Sequence, residues 1–125
     1  MAAKVRETPK RVLIVEDDPD VLGLLVEIFE LKGFSVKTAP NGVRGLELLT
    51  SLEIDLLVTD YDMPIMGGLR LILDCRENGL SLPIVMITGR VDIDDQEILI
   101  AGANALLEKP FSCFELNSIV ESLLR

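Results

Sequence analysis

The sequence predicts an α/β fold, a doubly wound five-stranded parallel sheet with helices on both faces. Two observations carry this. Short apolar runs alternate five times with longer segments of helical period, about one strand–helix unit per 25 residues. Such alternation demands parallel strands joined by right-handed crossover helices. Several of the runs are also apolar without interruption, the pattern of strands buried on both faces.

The first run is Val12-Leu13-Ile14-Val15. Asp18-Pro19 then supplies an N-cap followed by proline at the first helical position. Val21, Leu24, Leu25, Ile28 and Leu31 recur at helical spacing as the expected buried stripe, and Gly33 ends the helix. Residues 35–39 read as the second strand, and Asn41 caps a helix carrying Val43, Leu46 and Leu49. Residues 55–59 form the third strand. Gly67-Gly68 opens a helix through Leu69, Ile72 and Cys75 that stops near Asn78-Gly79. Residues 83–87 are the fourth strand, and a helix runs from about Asp94 to Ala101-Gly102. Its Ile98-Leu99-Ile100 covers about 200° of circumference, so one of these side chains should face outward. Ala105-Leu106-Leu107 is a short fifth strand. Ser112 and Glu115 form a capping box for a last helix carrying Leu116, Ile119, Val120 and Leu123. Residues 1–9 read as a frayed polar arm and residues 10–125 as one domain, large enough to fold without staples.

Composition removes several function classes. Twelve basic and twenty-one acidic residues give a net charge of −9, and the first eleven residues hold +3 of it, leaving −12 on the remainder. An acidic body repels phosphate backbones and anionic lipid, so direct nucleic-acid binding is not expected. No apolar stretch approaches the roughly 20 residues of a membrane span, and the N-terminal residues hold no apolar core of a secretory signal. A cytoplasmic location is expected. The chain has no histidine, which removes Ser–His and Cys–His nucleophile pairs and His-ligated zinc. Cys75 and Cys113 form no CxxC motif and read as reduced thiols.

In an open parallel sheet, ligands bind beyond the carboxyl ends of the strands. The first strand delivers Glu16-Asp17-Asp18 there. The third delivers Asp60-Tyr61-Asp62, the fourth Thr88-Gly89 and the fifth Glu108-Lys109-Pro110. The acids after the first strand would repel a phosphate, which excludes a phosphate cradle of the flavodoxin type. Clustered carboxylates repel one another, and a hard divalent cation such as Mg²⁺ removes that cost. A phosphoryl group beside Asp60 would then meet the cation on one side and Lys109 and Thr88 on the other, and a carboxylate is a competent nucleophile.

Residues 10–125 resemble the receiver domain of two-component response regulators. The motifs that carry the resemblance are Leu13-Ile14-Val15-Glu16-Asp17-Asp18, Thr59-Asp60-Tyr61-Asp62-Met63-Pro64, Ile87-Thr88-Gly89 and Glu108-Lys109-Pro110-Phe111. The resemblance implies a flavodoxin-like strand order, 2-1-3-4-5, with Asp60 as phosphoacceptor. It implies Asp17 as a direct ligand of Mg²⁺ or Mn²⁺, alongside Asp60, the Asp62 backbone carbonyl and Glu16 acting through water. Thr88 and Lys109 would engage the phosphoryl group, and the Lys109-Pro110 bond is expected to be cis. A sensor histidine kinase or histidine phosphotransfer protein would donate the phosphoryl group. The surface of the last two helices and last strand would respond to it, and the chain would turn over no external substrate. Which output domain or downstream partner reads that surface is left open, as is whether the receiver stands alone.

Three positions depart from the family pattern. Gly67 stands where an acid is common, Glu16 where aspartate is commoner, and Leu106 where many receivers have Tyr or Phe. Asp62 and Arg90, each two residues beyond a site residue, would pair and hinder attacking water, and Gly89 leaves the donor's approach open. Two rivals are a degenerate receiver that binds partners without phosphorylation, to which Leu106 points, and an aspartate-nucleophile phosphatase, to which Asp60-Tyr61-Asp62 points. The phosphatase motif belongs after a first strand, whereas here it follows the third.

Overall fold

Each predicted run becomes an element in the computed structural model, which describes residues 8–125. In chain order these are β1 (Arg11–Val15), α1 (Pro19–Leu31), β2 (Ser35–Ala39), α2 (Gly42–Ser51) and β3 (Leu56–Asp60). They continue as α3 (Gly68–Glu77), β4 (Ile84–Thr88), α4 (Asp95–Ala101), β5 (Ala105–Glu108) and α5 (Cys113–Leu123). All pairings are parallel and the order is β2-β1-β3-β4-β5, as the resemblance implies. The expected arm at residues 1–9 lies, through residue 7, outside the described residues.

Strand period explains the two cores. Successive side chains point to opposite faces. Val12 and Ile14 therefore join Val58, Val85, Ile87, Leu116 and Val120 beneath α1 and α5. Leu13 and Val15 join Leu57, Met86, Leu71, Ile72 and Ile98 beneath α2, α3 and α4. Each such aliphatic side chain contributes about 1.5–3 kcal/mol by its burial. Among the described residues no helix is long and apolar enough to cross a membrane.

The helix starts follow their caps. The Asp18 carboxylate accepts from the Asp20 N–H at 2.9 Å, Asn41 from the Arg44 N–H at 3.0 Å, and Asp94 from the Gln96 N–H at 2.9 Å. The capping box of Ser112 and Glu115 is formed. Gly67 gives α3 no side-chain cap. Gly33 has φ +88° after α1, and the Lys109-Pro110 bond is cis.

Several expected faces need correction. In α1 the buried residues are Leu25, Ile28 and Phe29, while Leu24 and Leu31 are 48% and 82% exposed. Phe29 turns into the first core, where its ring meets that of Phe34 in a T-shaped contact at 5.1 Å. In α2, Val43 faces out and Gly42 and Gly45 face in. In α3, Leu71 is fully buried and the expected Leu69 only half-buried, Leu71 and Ile72 being the helix's members of the second core alongside Cys75. In α4, Ile98 is buried and Leu99 and Ile100 face out, as the arc of three predicts. Cys75 is buried, which raises its thiol pKa against the opposing charge of Arg76, and Cys113 is exposed; both are free thiols.

One joint at the amino end of the sheet has no counterpart in the sequence reading. Arg76, in the last turn of α3, donates to the carbonyl oxygens of Leu80, Leu82 and Gly102 and to Asn104 Oδ1. Asn104 Oδ1 also accepts from the Ile84 N–H at 2.9 Å. A Cβ at Gly102, which has φ +127°, would fall 2.7 Å from Arg76 Cγ. The arginine thus ties α3, the start of β4 and the turn from α4 to β5 together.

Candidate functional site

The register of the sheet sets the site. Asp60 ends β3 opposite Ile87, and Thr88 ends β4 opposite Glu108, so Lys109 follows one residue later on the neighbouring strand. Lys109 is fixed from its backbone: its N–H donates to the Thr88 carbonyl at 2.7 Å. Glu16 is fixed likewise, its N–H donating to the Ala39 carbonyl at 3.1 Å.

The side chains converge from there. Lys109 Nζ lies 3.1 Å from Glu16 Oε1 and 3.3 Å from Asp60 Oδ1. Glu16 Oε2 accepts from the N–H groups of Asp17 and Asp18 at 3.1 and 3.4 Å. Glu16, Asp17 and Asp60 each place a carboxylate oxygen within 4.8 Å of the other two, and of the three only Asp17 is exposed. That donor set suits a hard divalent cation. The lysine therefore balances two acids, and its shorter contact is to Glu16, where the resemblance pointed to the acceptor.

Burial and charge set the protonation. Burial, then the neighbouring charge of Asp60, pushes the Glu16 carboxyl up to about 7, with Lys109 pulling the other way. Burial likewise raises Asp60, opposed by Lys109. For Lys109 burial acts downward but is outweighed by the bond to Glu16 and the charge of Asp60, so its pKa rises.

A stability consequence follows. Folded Glu16 holds a proton across the interval from 4.5 to about 7 that the unfolded chain has released. Its contribution is complete below 4.5 and is lost as pH rises through about 7. No histidine titrates in that interval to mask the effect. Metal-free protein is expected to lose about 1 kcal/mol between pH 6 and pH 8 in urea unfolding, and Glu16→Gln to flatten that slope. A pH-independent midpoint in the unaltered protein would contradict this.

The remaining predicted residues surround the cluster. Thr88 is buried and its Oγ1 accepts from the Arg90 N–H at 3.0 Å. Arg90 reaches Asp62 at 3.3 Å, as expected, but its shorter partner is Asp92, at 2.7 Å, and its guanidinium lies 5.7 Å from the centre of the Tyr61 ring. Both acids raise the guanidinium pKa further, the bond to Asp92 most. A Cβ at Gly89 would make ordinary contact, 3.8 Å, with Lys109 Cβ. Leu106 is half-buried, opposite Met86 in register and against the second core. Sequence reasoning missed Asp92, whose only signal is its place two residues beyond Arg90.

Comparison with known proteins agrees with this architecture. A model of the response regulator receiver domain matches residues 12–121. The transcriptional regulatory protein PrrA of Mycobacterium tuberculosis is 38% identical over 119 residues, covering 94% of this chain and 51% of PrrA. The chain thus spans about half the length of the curated relatives it matches. The structure of the response regulator TrrA from Thermotoga maritima in complex with Mg²⁺ and BeF superposes with TM-score 0.85 at 30% identity, covering 92% of this chain and 99% of TrrA. The receiver domain of a sensor histidine kinase from Pseudomonas aeruginosa, with magnesium in its active site cleft, gives 0.85 at 27% identity, covering 94% and 98%. With the family model spanning nearly the whole chain and the sheet order shared, the chain belongs to the response regulator receiver domains, the signalling domains of two-component systems.

Proposed function

We propose that this receiver is a Mg²⁺-dependent phosphoacceptor switch whose acceptor is Asp60. The observation that carries the reading is the joint placement of Glu16, Asp17 and Asp60 within 4.8 Å, with Lys109 bridging two of them. Asp17, Asp60, the Asp62 carbonyl and, through water, Glu16 would hold Mg²⁺ or Mn²⁺; two structural neighbours carry magnesium. The bound cation would neutralise the carboxylates and the incoming phosphoryl oxygens.

This chain's residues do the rest. An Asp60 carboxylate oxygen attacks phosphorus of a phosphohistidine on a sensor kinase or phosphotransfer protein. The P–O bond forms as the P–N bond breaks, and the imidazole leaves with the electron pair and takes up a proton. Lys109 transfers its ion pair from Asp60 to a phosphoryl oxygen, and the Thr88 hydroxyl donates to another. An apolar groove of 380 Å³ lined by Val21, Leu24, Lys109, Pro110 and Phe111 opens beside the lysine and suits the donor's approach. The new charge shifts a balance between two packings of α4, β5 and α5. Leu106 supports such a shift by repacking on the core, without a hydroxyl to hand over. The reading places the chain in the cytoplasm.

Binding of beryllofluoride with Mg²⁺, followed by amide NMR, tests the reading. Shifts at Asp60, Thr88 and Lys109 are expected. No binding would return the chain to a phosphorylation-independent module, and sustained hydrolysis of a phosphomonoester would make it a phosphatase.

The guanidinium bridge across the mouth has its own test. Arg90 is held by Asp92 of its own loop after β4 and crosses to Asp62 on the loop after β3 at 3.3 Å; on this reading the crossing hinders attacking water. Arg90→Ala is expected to speed loss of the phosphoryl group by about threefold to tenfold. An unchanged rate, followed by intact mass after the donor is removed, disposes of the idea.

A further inference from the structure

The segment from Tyr61 to Gly67 joins the acceptor to α3 without regular structure, yet both its ends are fastened. At the near end the Tyr61 N–H donates to the Ile87 carbonyl, and the Tyr61 carbonyl accepts from the Gly68 N–H, each at 2.9 Å. A Cβ at Gly68 would overlap the Asp60 carbonyl oxygen. At the far end the Gly42 N–H donates to the Met66 carbonyl at 3.0 Å. A Cβ on Gly42 would fall 2.7 Å from both that oxygen and Met66 Cγ, and 2.9 Å from Met66 Sδ, closer than real Cβ atoms come.

Between these ends the backbone is strained. The Met66 N–H donates to the Pro64 carbonyl at 2.8 Å, closing a three-residue turn on Ile65, whose φ is +73°. A β-branched residue disfavours that region, and such a turn persists only where its surroundings impose it. Ile65 is 83% exposed, so its own packing does not. What fastens the turn is the near end on Ile87 and Gly68 together with Met66 seated on Gly42.

We infer that Gly42, on α2 and outside the acid cluster, is a positioning residue for this segment and through it for the Asp62 carbonyl. The absence of a side chain at residue 42 lets Met66 sit at hydrogen-bonding distance and sets how far the loop lies from the carboxylates. The inference rests on the metal site proposed above. Groups that orient metal ligands in this indirect way commonly govern affinity about tenfold or more.

The test titrates metal-free protein with Mg²⁺ alone, following amide NMR shifts and, separately, thermal unfolding. Gly42→Ala is expected to weaken Mg²⁺ binding about tenfold and to shift the Asp62 and Met63 amides before any metal is added. Gly45→Ala is the control: its Cβ would press 3.0 Å from Val15 Cγ2 in the core rather than on the loop. It should lower the unfolding temperature and leave Mg²⁺ affinity unchanged. Met66→Ala removes the Cγ and Sδ contacts without adding an atom, should weaken binding about threefold, and decides the matter if Gly42→Ala does not fold. Wild-type affinity in Gly42→Ala overturns the inference, as does an equal loss in Gly45→Ala, which would mean that affinity merely follows stability. If the unaltered protein binds no Mg²⁺, the metal site itself fails. The metal-free amide shifts of Gly42→Ala then still decide whether Gly42 positions the loop.

Discussion

Asp60→Asn is expected to reduce Mg²⁺-dependent phosphorylation by acetyl phosphate or phosphoramidate to background, read as loss of the one-phosphoryl mass increment. The amide keeps the shape of the carboxyl group but lacks a nucleophilic oxygen able to form an acyl phosphate. The same change removes one of the three converging acids, so Mg²⁺ affinity should fall at least about tenfold. A third effect runs the other way. Glu16 loses the like charge that helps push its pKa up, and Lys109 is left with one acid to balance instead of two. The metal-free variant should therefore gain about 1 kcal/mol at pH 8. A variant that still accepts one phosphoryl group at the wild-type rate would remove Asp60 from the mechanism. One that is inactive but less stable would mean that the substitution had disturbed the fold.

Lys109→Met should have the largest effect on stability. The ammonium lies within 3.3 Å of two nearly buried carboxylates, and a quarter of its side chain is exposed. Removing one partner of a buried ion pair costs about 3–5 kcal/mol, and partial solvent access lowers the expectation here to about 2–3 kcal/mol at pH 8. At pH 6 the loss should be smaller, because Glu16 then takes up a proton in place of the ammonium. Mg²⁺ should restore more stability to the variant than to the parent, since the cation no longer competes with the lysine. Urea unfolding at both pH values, with and without Mg²⁺, checks all three expectations. Equal stability of variant and parent at pH 8 without metal would show that the short contacts carry no net weight.

The fold was legible because its signals are local. Asp18-Pro19, Asn41 and the Ser112/Glu115 box name their helix starts from a few consecutive residues, and each one caps as read; Asp94, read only as the approximate start of its helix, is also its cap. Which face a helix buries was harder. From Val21 to Leu31, α1 is apolar nearly all round, so period fixes the width of the stripe but not its phase. In the fold Phe29, which meets Phe34 beyond the helix, turns in and Leu31 does not. In the site, strand ends assembled the right residues, because parallel topology delivers every carboxyl end to one edge. Pairing inside the assembly was less readable. That Lys109 approaches Glu16 more closely than Asp60, and Arg90 approaches Asp92 more closely than Asp62, depends on side-chain reach in space. The seat of Met66 on Gly42 joins residues 24 positions apart, with no motif linking them.

The Arg76 joint gives the two rims of the sheet opposite chemical temperaments. Every oxygen that the guanidinium grips belongs to a peptide or an amide, so no partner there gains or loses a proton over the physiological range. The rim holding Glu16 and Asp60 answers to acidity and, on the proposed reading, would answer to divalent ions; the joint of Arg76 with Gly102 and Asn104 is indifferent to both. The joint moors α4 at its tail, through Gly102, so under the proposed switch a rearrangement of this helix would take the form of a swing rather than a slide.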